Sequence, residues 1–148
     1  MTQHEEKNTI PPDVFPAPVD LGDRDWGTET LLGLVPGRFS LKRLFVRAGH
    51  KGGLQYHHLK NEVQILISGR MIIRTSSDDG SLVEHEINAG DVVHFSPGLI
   101  HQEEAITDCV LIEASTPHFN DRVRVEELFG LLSNGGLPST TIDEVIEK

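Results

Sequence analysis

The chain is poor in three things. It has a single cysteine, too few basic residues to balance its acids, and no long apolar run. Cys109 alone cannot close an internal disulfide, and inside "DCVLIEAS" it reads as a small hydrophobe of a buried strand. Thirteen Lys and Arg stand against 23 Asp and Glu, a formal charge of -10. That balance lacks the basic face a nucleic-acid partner requires. It also disfavours an anionic membrane surface. No stretch is long enough to span a bilayer, and the polar start "MTQHEEKNTIPP" has no apolar stretch of the signal-peptide kind. No nucleic-acid or membrane partner is expected, and a cytoplasmic location is the default. Long amphipathic helices and internal repeats are also missing, so the 148 residues make one domain of short elements.

What is present is a series of short runs rich in Val, Ile and Leu, punctuated by Gly, Pro and Asp. "FSLKRLFVRAG" ends at Gly49 and "NEVQILISG" at Gly69. "GRMIIRTSS" enters the turn "DDGS", and "LVEHEINAG", "VVHFSPG" and "DCVLIEAS" follow. This spacing predicts an all-β antiparallel sandwich or barrel. Residues 1–20, with "TIPPDVFPAPVD", read as an extended N-terminal arm in which Val14 and Phe15 are candidate anchors. Residues 21–120 make the barrel, and 121–148 a C-terminal segment with short helices. There "VRVEELFGLL" allows a turn or two, and Thr141 followed by Glu144 matches a capping box.

Chemistry concentrates in "GLQYHHLKNE". In a strand, alternate side chains share a face, so Gln55 and His57 point one way and His58 the other. Glu62 opens the next strand and shares its face with Gln64 and Leu66. A hairpin of this kind aims Gln55, His57 and Glu62 at one point. His101, just after the turn at Pro97 and Gly98, is the best fourth donor. An amide oxygen, two imidazoles and a carboxylate suit one divalent transition ion: zinc, manganese, iron, cobalt or nickel. The plainer alternative is a polar barrel interior without metal.

These segments resemble the two motifs of the cupin superfamily. Gly49, Gln55, His57, Glu62 and Gly69 fall at the positions of the first, with Gln in place of the first His. Gly90, Gly98 and His101 match the second, with Ser96 at its proline and Ala105 at its asparagine. The resemblance implies a single-domain double-stranded β-helix, a jelly-roll barrel. More narrowly, "DWG", "FSLKRLFV" and "GGLQYHHLKNE" are similar to the cupin domain of mannose-6-phosphate isomerase and mannose-1-phosphate guanylyltransferase proteins, where Gln is the expected first ligand. The stretch "IEASTPHFNDRVRVEELFG" resembles one that ends there in Tyr-Gly-Arg. Phe129 and Leu131 replace that Tyr and Arg, a departure from a standard phosphomannose isomerase.

The resemblance implies a metal-dependent sugar or sugar-phosphate isomerase or epimerase that works by metal-assisted proton transfer. Glu113, a carboxylate in an otherwise apolar strand, is a candidate base. His94 in "DVVHFS" is a second candidate if alternation turns it inward. Lys60, at the position of a family Arg, is placed to meet an anionic substrate. Lys42 is expected to face inward, Trp26 to plug one end of the barrel, and Arg122 and Arg124 to rim the pocket. One of Glu103 and Glu104 is a candidate to orient His101. Two other readings stay open: a non-catalytic sugar-binding module, and a non-haem iron oxygenase or metal lyase built on His57, Glu62 and His101. The expected partner is a small carbohydrate. A homodimer is expected from the arm and the exposed strand edges.

Overall fold

The computed structural model of the chain describes residues 12, 14–132 and 137–145. Its strands follow the apolar runs. They are β1 (Val19–Arg24), β2 (Gly27–Val35), β3 (Phe39–Val46), β4 (Gln55–Tyr56), β5 (Glu62–Ser68) and β6 (Arg70–Ser76). Then come β7 (Leu82–Asn88), β8 (Val92–Phe95), β9 (His101–Ala105), β10 (Cys109–Ser115) and β11 (Val123–Arg124). They form two antiparallel sheets, one in the order β1-β2-β3-β10-β5-β8 and the other β11-β4-β9-β6-β7. From β3 onward the chain passes repeatedly between the sheets, as a jelly roll requires. Gly69, between β5 and β6, has φ of 97°, and a Cβ there would lie 2.3 Å from the Asp108 carbonyl oxygen. Only glycine fits this turn.

Alternation along the strands sends every second side chain between the sheets. On β10 those are Cys109, Leu111, Glu113 and Ser115; on β5, Glu62, Gln64 and Leu66; on β3, Ser40, Lys42 and Leu44, all buried. At one end of the barrel Leu44, Leu66, Met71, Ala105, Cys109 and Leu111 form the apolar core, with Trp26 packed against it. The opposite end of the same strands is polar and charged. Cys109 is the buried hydrophobe expected of it, and burial raises its thiol above the ordinary range.

The C-terminal segment departs from expectation. Val123–Arg124 pairs with β4, and the helices are single 3-10 turns at Glu126–Phe129 and Ile142–Glu144. Gly130, in the left-handed region at φ of 69°, stops the first turn. The Thr141 hydroxyl meets the Glu144 carboxylate at 2.9 Å and caps no backbone N–H. Hydrogen bonds tie this stretch to neighbouring backbone instead, as in Thr140 N–H to the Arg122 carbonyl at 2.8 Å. Such ties override a local helical preference too short to nucleate. Of the expected arm, residues 1–11 and 13 lie outside the described residues, as do 133–136 and 146–148. Phe15 is half-exposed, and a Cβ built on Gly33 would stand 3.2 Å from its ring. Among the described residues, no helix is long and apolar enough to cross a membrane.

Candidate metal centre

One residue builds the turn that carries the first ligands. After β4 the chain leaves the sheet at His57, and the Asp121 carboxylate accepts the next three backbone N–H groups, from His58, Leu59 and Lys60, at 2.9, 2.7 and 2.9 Å. Burial opposes its ionisation, but these three donors hold its carboxyl below the usual range. The Asp121 carbonyl accepts His57 Nδ1–H at 2.6 Å. His101 is set in the same way. It follows the turn in which Leu99 N–H meets the Ser96 carbonyl at 3.1 Å, and its Nδ1–H donates to the Leu99 carbonyl at 2.9 Å. Phe95 stacks on its ring with centroids 4.2 Å apart.

With both Nδ1 atoms acting as donors, each imidazole turns an Nε2 lone pair to the interior. His57 Nε2 and His101 Nε2 lie 3.6 and 3.8 Å from Glu62 Oε1. All three residues are buried, and their ligand atoms fall within 4.8 Å of one another. Burial pushes His101 down to about 4, so its ring is neutral near pH 7. Burial works to raise the Glu62 carboxyl, but Lys60 and His57 hold it well below its usual value. Two imidazoles, their Nδ1 atoms tied to backbone carbonyls, and one carboxylate fit a divalent transition ion with open positions for substrate or water. Gln55 is the Cα partner of His101 across β4 and β9 and lines the same cavity.

Behind the triad lies a second layer of charge. Lys60 Nζ is 2.8 Å from Glu62 Oε2 and 3.4 Å from Glu113 Oε2. Burial works to lower the Lys60 ammonium, but Glu113 and Glu62 outweigh it and keep the group protonated. Gln64 Nε2 donates to Glu103 Oε1 at 3.1 Å and to Glu113 Oε1 at 3.3 Å. Burial pushes Glu113 up to about 7, with Lys60 opposing and Glu62 assisting. Burial also pushes Glu103 up to about 8, with help from Glu62 and Glu113. A buried acid titrating near neutrality beside a fixed ammonium is a poised proton acceptor and donor.

The triad sits at the base of an inner cavity of about 210 Å³, which opens into a mouth of about 810 Å³. Arg24, Lys42, His50, Arg122 and Arg124 line the mouth, with Trp26 at the boundary of the two spaces. Some of this charge is paired. Lys42 Nζ is 2.8 Å from Glu29 Oε1 and 4.5 Å from the Phe119 ring centroid, and Arg124 pairs with Glu126. Burial and the nearby Arg24 and Arg124 guanidiniums lower Arg122. Positive groups thus crowd one another at the entrance.

The structure therefore brings together Gln55, His57, Glu62, His101, Lys60 and Glu113, from five separate segments. It does not bring in His94. That residue is exposed on the outer face of β8 and meets Asn61 Oδ1 at 2.6 Å, because Phe95 takes the inward position. His58 is half-buried outside the cavity, its Nε2 3.0 Å from the Thr140 carbonyl. The acidic pair divides: Glu103 turns in to Gln64, and Glu104 turns out to Arg74 at 2.8 Å. Lys42 faces inward as expected. Trp26 packs on the core and also lines the cavity. Asp121 was missed. No local pattern marks it, since its partners lie more than sixty positions earlier.

The cupin family model matches residues 24–140. No curated protein matches the chain. Among solved structures, the capsular polysaccharide assembling protein CapF from Staphylococcus aureus superposes with a TM-score of 0.64 at 24% identity, covering 76% of this chain and 33% of its own. CapF with the inhibitor 3-isopropenyl-tropolone is 25% identical at a TM-score of 0.63, covering 73% of this chain and 34% of the other. An RmlC-like cupin from Shewanella frigidimarina NCIMB 400 gives 0.54 at 21% identity, covering 68% and 82%. The chain spans about a third of the length of the CapF chains it matches.

Proposed function

The chain belongs to the cupin family, and from that premise we propose that it is a metal-dependent isomerase or epimerase of a sugar or sugar phosphate. The observation that carries this reading is the Lys60–Glu113 pair, held against the His57–Glu62–His101 triad at the base of an open cavity. His57, Glu62 and His101, with Gln55 lining the same cavity, would hold a divalent ion, which would supply Lewis acidity to a substrate carbonyl and its neighbouring hydroxyl. Glu113, deprotonated in part near pH 7, takes the proton from the hydroxyl-bearing carbon next to the carbonyl and returns it to the carbonyl carbon, while the hydroxyl proton passes to the former carbonyl oxygen; return to the same carbon with inversion requires a second acid on the opposite face. Lys60 keeps its proton and offsets the charge that builds on Glu113 and Glu62. Gln64 holds Glu113 in line by donating to its other oxygen.

The mouth supports the substrate class. Arg24, Arg122 and Arg124 line the mouth and, on this reading, meet the phosphate of the substrate. They occupy the role expected of the arginine that Leu131 replaces, in keeping with the resemblance to sugar-phosphate isomerase cupins.

The test has two steps. Elemental analysis of the protein and of its His57→Ala and His101→Ala variants should show near one metal per chain in the parent, lost in both variants. Hexoses, hexose phosphates and nucleotide sugars are then incubated with the loaded protein in D2O. Proton NMR should show exchange at a carbon next to a carbonyl, abolished by Glu113→Gln. Metal without exchange on any of them would reject the isomerase and leave a binding module.

A further inference from the structure

The mouth and the inner cavity meet at a passage walled from both sheets. Trp26 and Glu29, beside and within β2, line both spaces, and so do Gly52 and Gly53 from the other sheet. Gly52 joins that sheet by its hydrogen bonds. Its N–H donates to the Glu103 carbonyl at 2.8 Å, and its carbonyl accepts from Gln102 Nε2 at 3.1 Å. The antiparallel bridge between Lys51 and Glu104 fixes its direction. Paired residues share a face, and Glu104 turns out to Arg74, so Lys51 points outward with it. The next position, Gly52, therefore points inward beside Glu103. Nothing in the backbone asks for glycine there. Gly52 lies outside the left-handed region, and a Cβ would meet only the Glu103 carbonyl oxygen, at an ordinary 3.6 Å. Such a glycine costs the folded state conformational entropy that alanine would spare. Gly53 differs: a Cβ there would stand 3.0 Å from the Arg124 guanidinium, so its bareness seats the Arg124–Glu126 pair. What a side chain at 52 would take is the open space of the passage.

We propose that Gly52 is a specificity-determining residue: its missing side chain sets the width of the passage to the triad, with Trp26 as the facing wall. The Trp26 wall is fixed. Its carbonyl accepts Arg47 N–H at 2.7 Å, and the Arg47 guanidinium donates to the Arg24 and Asp25 carbonyls at 2.9 and 3.1 Å. Its ring packs on the apolar core. A Cβ at Gly27 would overlap the Phe45 carbonyl, so the chain next to Trp26 lies tight against β3. With one wall rigid, the width is set by what stands on the other. Drug-sized ligands take cavities of roughly 300–1,000 Å³. The inner space, about 210 Å³, is smaller and takes one ring-sized unit, and the mouth, about 810 Å³, takes what that unit carries. The identity of the ligand, though not the passage, rests on the isomerase reading: the reacting sugar unit lies inside Gly52 and its phosphate outside, among the arginines. A substrate with a second ring or a branch at its reacting end is shut out.

Two hydroxamates of different width test this on the full chain loaded with cobalt(II), whose visible absorption reports ligands added at its open positions. Acetohydroxamate and benzohydroxamate chelate through the same two oxygens and differ in carrying a methyl or a phenyl group. The parent should bind both. Gly52→Leu should keep cobalt and acetohydroxamate at parental affinity and weaken benzohydroxamate at least about tenfold. Gly52→Ala keeps the fold if leucine does not. Its urea midpoint should match or exceed that of the parent, and it should weaken benzohydroxamate in the same direction by less. Benzohydroxamate bound equally by the parent and by every variant that folds would overturn the assignment. So would an equal loss of both hydroxamates, which would place residue 52 at the metal and not at the passage. A parent that binds acetohydroxamate alone, or neither, would mean that the passage is closed without any side chain at 52, and would overturn it too. A parent that takes up no cobalt would overturn the metal centre and the passage with it. Selective loss of benzohydroxamate in a protein that exchanges no sugar would uphold the passage and reject the isomerase, so the two readings fail separately.

Discussion

The two ends of the barrel interior are made by the same strands and have opposite chemistry. On β10 the inward series runs Cys109, Leu111, Glu113, Ser115; on β5 it runs Leu66, Gln64, Glu62; on β3, Leu44, Lys42, Ser40. Each strand changes from hydrocarbon to charge at mid-length. The apolar end gains free energy from removing surface from water, at about 25 cal/mol per Å². The polar end loses free energy on desolvation and recovers part of it through ion pairs and hydrogen bonds. Stability and chemistry are thus separated along the strand axis, and one end holds the other in place.

That comparison can be broken from either end. The largest expected effect is at the apolar end. Leu66→Ala should cost about 2–5 kcal/mol of unfolding free energy in urea, from lost transfer and a cavity. Metal binding by the remaining folded protein should be unchanged. A smaller loss, near that of a surface site, would mean that the two tiers do not divide the labour. Next is Lys60→Met, which strips the cation from Glu62 and Glu113. Removing one partner from a buried ion pair should cost about 3 kcal/mol in the metal-free protein. Metal loading should restore much of that, because an ion in the triad replaces the lost positive charge, and thermal melts with and without metal check it.

Asp121→Ala acts on the turn and not on the ligands. It should weaken metal binding about 10-fold by loosening the turn that carries His57, while the donor set and the Asp121 carbonyl that accepts from His57 stay intact. A competition titration against a chelator reads this directly, and an unchanged affinity would show that the turn keeps its shape without the carboxylate. The last effect is on pH dependence. Glu103 is raised to about 8 by burial and by Glu62 and Glu113, so the folded, metal-free protein keeps a proton that the unfolded chain releases above its ordinary carboxyl pKa. Its contribution to stability is complete at low pH and is lost as pH rises through about 8. Glu103→Gln should flatten that decline, and urea midpoints measured at intervals between about pH 5 and pH 9 test it.

Much of this is legible in the sequence. The strands are, because period-two patterning and Gly or Pro punctuation are local signals. His57 and Glu62 are, because one hairpin aims both, and His101 is marked by the turn before it, although only the pairing of β4 with β9 brings it to them. Glu113 stood out as a carboxylate in a hydrocarbon strand. His94 was misplaced for an instructive reason. In "VVHF" both faces are apolar, so alternation gives no phase, and the interior took Phe95 to stack on His101. The same two-sided pattern marks the outer face of that sheet. The C-terminal turns were overestimated as helices because capping and composition are weak beside hydrogen bonds to the barrel.

The sequence by itself determined the strands, their inward faces on β3, β5 and β10, and the donor set that can hold a metal. The strands and their faces depend on neighbours a few positions apart, and the donors on two short motifs, each of them local. Only the tertiary structure decided that Asp121 supports the turn after β4, that Lys60 stands between Glu62 and Glu113, and that Glu103 turns in while Glu104 turns out. Each of those choices pairs groups from different strands or turns. Their energies come from burial and charge at distances of a few ångströms, which chain separation does not report.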